Sequence, residues 1–125
     1  MIKLSLRQAV AAYQALEEFP RVPDIKISYE LGYIGDKLEQ RVRLFEKERI
    51  KVLRENSIVG DDGSRKIDPA KAEFVSELID KMLDDIEITI DRKPIKLEAI
   101  IGNDPAKQPQ IQPVMLKKLQ AIIIE

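Results

Sequence analysis

The side chains with which proteins most often move protons and hold transition metals are missing from this 125-residue chain, which has no histidine and no cysteine. That composition excludes Ser-His and Cys-His nucleophile pairs, thiolate metal sites and disulfides. Any chemistry falls to carboxylates, lysines and backbone groups, and four stretches could carry it. Asp84, Asp85 and Glu87 crowd together where the hydrophobic period changes, and grouped carboxylates suit a divalent cation. "GDDGS" at 60–64 has the outline of a calcium loop, but Asp61 and Asp62 are adjacent rather than alternate and no glutamate closes it, so it reads as a turn. "SYELGYIGDKL" at 28–38 holds a GxxG of the kind that clamps nucleotides in KH domains. Its neighbours Glu30, Asp36 and Glu39 are acidic and no βααβ setting surrounds it. The fourth stretch, with Lys37, Arg41, Arg43, Lys47, Arg49, Lys51 and Arg54, is interleaved with Glu39, Glu46, Glu48 and Glu55. Without an aromatic platform it reads as a solvated face of mixed charge rather than a phosphate-tracking groove.

The glycines ask for a structural explanation instead. Ser28, Gly32 and Gly35 stand at i, i+4 and i+7, one side of a helix, so they are expected to let a second helix pack closely. The first helix, with Ala9, Ala11 and Ala12, is the natural visitor. Each glycine costs about 1 kcal/mol against alanine in a helix, which that packing would have to return.

The elements that must position these residues follow from periodicity. Ser5 with Gln8 is a capping box, Leu4 and Ala9 a hydrophobic staple, and Leu6, Ala9, Val10, Tyr13 and Leu16 recur at helical spacing to about Phe19. "FPRVPD" then stops the helix. A second helix begins near Ile27; Ile27, Leu31, Ile34, Leu38, Val42, Phe45 and Leu53 form its apolar stripe. Its repeat of about 3.67 residues per turn keeps that stripe nearly straight. At about 45 Å it is too long for one small core, so its far half is expected to rest on a single partner helix or to project. Asp62-Gly63 marks a loop or a two-stranded hairpin tip, and Asp68-Pro69 caps a third helix carrying Ala72, Val75, Leu78, Ile79 and Met82. "IEITI" alternates as a strand and "IKLEAI" reads as its hairpin partner; Pro113 opens a closing helix.

These elements predict a single domain, 1–125, of α+β class and mainly α. It comprises a long antiparallel helical hairpin over about 26–84, a flanking N-terminal helix, a small β-hairpin over about 86–100 and a C-terminal helix over about 113–124. The charged share of 34% and aromatic share of 5% favour helices with ion-paired outer faces over a β-sandwich. A net charge of −1 sets up no field for nucleic acid or an anionic membrane. The opening stretch is too broken by charges for a signal peptide, and no apolar run is long enough to span a bilayer. The best lead to function is the far end of the helical hairpin. Leu44, Phe45, Val52, Leu53, Val75 and Ile79 are expected to line its contact or an open apolar stripe that takes a partner.

"KLSLRQAVAAYQAL", "KISYELGYIGDKLEQRVRLFEKERIKVLREN", "IEITI…IKLEAI" and "PVMLKKLQAIIIE" occur in that order. In this they resemble a family of small tailed-phage and prophage proteins of unknown function, which open K-L-S/T-x-x-Q-A-V and continue with a long charged helix and an E-V-x-L-type strand. The helix glycine pair departs from that pattern. The resemblance implies a phage setting but supplies no activity and no functional residue; with the missing histidines and the hairpin stripe, the expectation is a phage-encoded, non-enzymatic protein-interaction module, an assembly or accessory factor in the host cytoplasm or the virion. An inhibitor of a host enzyme acting by surface occlusion and a carboxylate-based metal-binding protein stay open as alternatives. No cofactor is expected; the expected partner is a phage or host protein, or a second copy of the chain.

Overall fold

In a computed structural model describing residues 1–125, the chain is α+β and mainly helical. A short strand β1 (Ile2–Ser5) runs directly into helix α1 (Leu6–Glu17). The capping box forms as expected: Ser5 Oγ accepts from the Gln8 amide at 3.2 Å, and Gln8 Oε1 accepts from the Ser5 amide at 2.9 Å. Leu4 lies in β1, where buried Ile2 and Leu4 alternate with exposed Lys3, and both Leu4 and Ala9 belong to the main core.

Asp24 opens the long helix α2 (Ile25–Glu55), its Oδ1 accepting from the amides of Lys26 at 2.8 Å and Ile27 at 3.2 Å. The buried residues of α2 are Leu31, Ile34, Leu38, Val42 and Phe45, the stripe read from the sequence. Its main packing partner is α1, whose buried Ala9, Ala12 and Ala15 give a face of small side chains. At its end, Asn56 turns its side-chain amide back onto the Val52 carbonyl at 2.8 Å.

Strands β2 (Ser57–Val59) and β3 (Arg65–Ile67) then pair antiparallel with Ile58 opposite Lys66. Their tip is the expected turn. Asp62 Oδ1 accepts from the Ser64 amide and hydroxyl at 3.1 and 2.7 Å, and Gly63 takes φ 81°, a left-handed value that favours glycine. Asp68 caps a 3-10 turn (Pro69–Lys71), which leads into helix α3 (Ala72–Asp85).

The β-hairpin expected over 86–100 does not form. Strand β4 (Glu87–Ile90) pairs instead with β1, antiparallel, placing Leu4 opposite Ile88 and Ile2 opposite Ile90. Strand β5 (Ile95–Lys96) pairs in parallel with β6 (Ile123–Ile124). Between β5 and β6, "LEAII" is a short helix α4 (Leu97–Ile101) that stops at Gly102, φ 72°. The closing helix α5 is also shorter than expected, Pro113–Lys118. The three successive isoleucines 122–124 favour extended backbone, and they take the chain from a turn into β6.

The core gathers β1, α1, the first half of α2, β4 and the C-terminal elements; Ile2, Ile34, Leu38, Ile100, Leu119 and Ile122 are its largest fully buried side chains. No polar or charged residue is buried. Two ties hold the rim. Arg7 of α1 bridges Asp84 at 2.7 Å and Asp80 at 3.1 Å on α3. Arg92, after β4, pairs with Glu30 at 3.1 Å and lies over the Tyr33 ring at 3.9 Å. Between Phe45 and Ile88 the sole buried residue is Val75. Leu38→Ala should therefore lower the unfolding free energy by about 2–5 kcal/mol, and Val52→Ala, half-buried on the far part of α2, by about 1 kcal/mol or less. Urea denaturation of the two variants checks this, and equal losses would place the far half of α2 in the same core.

Candidate interaction surface

The six residues picked out on the helical hairpin part company in the structure. Phe45 is buried in the main core and Ile79 packs against it. Val75 is buried but lies outside that cluster, as does Val42. Val52 and Leu53 are half-buried, on the side of α2 that also carries Phe45. Leu44 is 55% exposed and points away from them. The set is not one open stripe, because steps of three and four on α2 follow the face that α1, β3 and α3 already cover.

The apolar side chains that do meet solvent around the far part of α2 are others. Ile50 (43% exposed) and Phe74 (58% exposed) stand on the outer sides of α2 and α3, and Ile58, Val59 and Ile67 are exposed on the β2–β3 hairpin. Reading for periodicity passes over such residues, since each falls off the buried stripe of its own element. The signal available in the sequence was their company: bulky apolar residues set among charges, as in "KERIKVLRE" and "AEFVSE". With Leu44 they place half of the chain's exposed bulky apolar residues between positions 44 and 74. Exposed apolar residues that gather in one region are where partners commonly dock.

Ser28, Gly32 and Gly35 do share one side of α2, but the expected close packing is corrected at Gly32. A β-carbon built there meets nothing within 4 Å, and one at Gly35 comes no nearer than 3.8 Å to Leu16 Cδ1, an ordinary contact. The three line the floor of a groove of about 410 Å³, walled by Leu16 and Phe19 and rimmed by Glu17, Asp36 and Glu39. Buried Ala9, Ala12 and Ala15 give α1 its small inward face, Leu16 of α1 meets Gly35 at an ordinary distance, and the side of Gly32 lies open.

Asp84, Asp85 and Glu87 line one depression with Lys3, Ser5 and Gln8 but do not converge on a common point. Arg7 takes both carboxylate oxygens of Asp84, Glu87 lies in β4 opposite Ser5, and no group of three carboxylates converges on a point that would hold a metal ion. The hydrogen bond from Arg7 holds the Asp84 carboxyl below the usual aspartate range. On the mixed-charge face of α2, Glu46 pairs with Arg49 at 2.8 Å and Glu39 with Arg43 at 2.5 Å. No helix is long and apolar enough to cross a membrane. No protein-family model, curated protein or solved structure matches the chain.

Two outcomes follow from this geometry. Gly32→Ala should raise the unfolding free energy by nearly 1 kcal/mol and Gly35→Ala by a similar or slightly smaller amount; a loss of stability in chemical denaturation would show a close neighbour that the structure lacks. For Asp84, a folded pKa below the unfolded value means that its contribution is present above about pH 4. It is lost as pH falls through the folded value. The difference in melting temperature between wild type and Arg7→Gln should thus persist at neutral pH and shrink on acidification below about pH 4.

Proposed function

We propose that the chain is a phage-encoded, non-enzymatic protein-interaction module, an assembly or accessory factor that works through the far half of α2, the β2–β3 hairpin and α3. The long antiparallel pairing of α2 with α3 belongs to this reading, with α3 as the strut that holds the far half of α2 out from the core. One observation carries it. From Glu46 to Glu87 a helix, a hairpin and a second helix bury a single side chain, Val75, while the same region exposes Ile50, Ile58, Val59, Ile67 and Phe74. Ordering such a segment costs about 1–2 kcal/mol per residue in backbone entropy alone. Few buried contacts are there to offset that cost, so a bound partner supplies what the fold leaves uncovered. The phage setting rests on the order of motifs described in the sequence, and the virion or the host cytoplasm is the place it implies.

The test is a tagged pull-down from cells carrying the encoding phage or prophage, before and after induction, with mass spectrometry of the retained proteins. Phage structural proteins should be enriched only after induction. Ile50→Glu and Phe74→Glu, at exposed positions, should abolish that capture while leaving the melting curve within a few degrees of wild type. Capture of a host enzyme before induction would replace assembly with inhibition of that enzyme. Capture indifferent to both substitutions would overturn the reading of this surface.

A further inference from the structure

The charges around the exposed apolar residues are sorted by helix. On α2, Lys47, Lys51 and Arg54 stand at i, i+4 and i+7, all exposed, on the side away from the buried Val42 and Phe45, with Ile50 among them. None of the three cations makes an ion pair within the chain. On α3, Glu73 and Glu77 are also exposed and four apart. Each is two residues from the buried Val75, about 200° round the helix, so they face outward beside Phe74. Neither has an ion-pair partner in the chain. Asp80 continues the same i, i+4, i+7 spacing, although Arg7 engages it. The only cation on α3 is Lys81, and Glu48 and Glu55 are the exposed acids beside the basic stripe.

Two outward faces of opposite sign, equal spacing and one bulky apolar residue each are complementary to one another, yet they belong to different helices. Their complement is available on a second copy. We propose that the basic face of α2 in one copy docks on the acidic face of α3 in another, pairing Lys47 and Lys51 with Glu77 and Glu73 and bringing Ile50 against Phe74. This rests on the reading of the region as an interaction surface and names its partner. A contact along about 12 Å of each helix belongs to the small class of interfaces, so association is micromolar, fast and sensitive to salt.

Sedimentation velocity of the purified full-length chain, from about 10 to about 300 μM, tests the pairing. Raising the salt from about 0.1 M to about 1 M shortens the screening length from about 10 Å to about 3 Å. The wild type should sediment heavier than a monomer in low salt and as a monomer in high salt. Lys47→Glu with Lys51→Glu, and separately Glu73→Lys with Glu77→Lys, should each weaken association on the order of 100-fold. An equimolar mixture of the two variants should recover it, because each then offers the sign the other lacks. All four positions are exposed, and unchanged circular-dichroism melts confirm that the variants fold. A wild type that stays monomeric in low salt, variants that associate like the wild type, or a mixture that recovers nothing would each overturn the inference. A monomeric wild type that still captures phage proteins fails this inference alone. A chain that self-associates as described but captures nothing fails the phage-assembly reading alone.

Discussion

A helix of 31 residues, about 46 Å long, is longer than the core that this chain can build, and the rest of the structure follows from that mismatch. The first half of α2 is covered by α1, whose alanines bring the two helices together, and by β4 and the C-terminal elements. Phe45 is the last residue of α2 to reach that core. Past it the helix continues for ten residues on propensity, on the Glu46–Arg49 pair, and on what β3 and α3 supply. An i,i+3 pair is worth only tenths of a kcal/mol, so the continuation depends on the return of the chain through α3.

That return is anchored at its end rather than along its length. Met82 and Leu83 pack on the core, Arg7 grips Asp80 and Asp84, and the chain passes at once into β4 beside β1. The pairing of β1 with β4 joins the start of the chain to the point where α3 comes back, so the loop of structure between them is closed at its base. The hydrogen bond from the Leu6 amide to the Ile86 carbonyl, at 2.9 Å, extends this closure to the first turn of α1. Far from the base, Val75 is the one inward anchor, and the region in between is stabilised locally and weakly.

The helices were legible in the sequence because their signals are local: the Ser5–Gln8 box, the Asp68-Pro69 start, and a stripe from Leu31 to Phe45. So was the turn at Asp62-Gly63. Strand pairing was not, because it is decided by what lies opposite. Ile2 and Leu4 are too few to announce a strand, and "IEITI" followed by a short turn looks like a hairpin until β1 proves the better partner through Leu4 and Ile88. "LEAII" could serve either period; with a glycine next to it that closes a helix, and Ile123–Ile124 pairing only with Ile95–Lys96 ahead of it, the helix won. The glycine pair misled for a related reason. A row of small residues shows where a neighbour would fit, not how close it comes: Leu16 of α1 reaches Gly35 at an ordinary 3.8 Å, and nothing reaches Gly32.

Composition conceals the charge pattern in the same way. A net charge of −1 and an interleaved run of acids and bases describe a neutral surface when read along the chain. Folding separates them. Glu46 and Glu39 are taken up by Arg49 and Arg43, and Lys47, Lys51 and Arg54 face outward together with Glu48 and Glu55 beside them. On α3 the inward positions are apolar, so its outward side is left to Glu73, Glu77, Asp80 and Asp84, and a single arginine from α1 meets only the last two. The resulting charge separation lies in the part of the molecule with the fewest buried contacts. Charges placed to stabilise that region from within would have been expected to pair across α2 and α3. They instead lie on the exposed sides of their own helices, and the pairing proposed between copies rests on that placement.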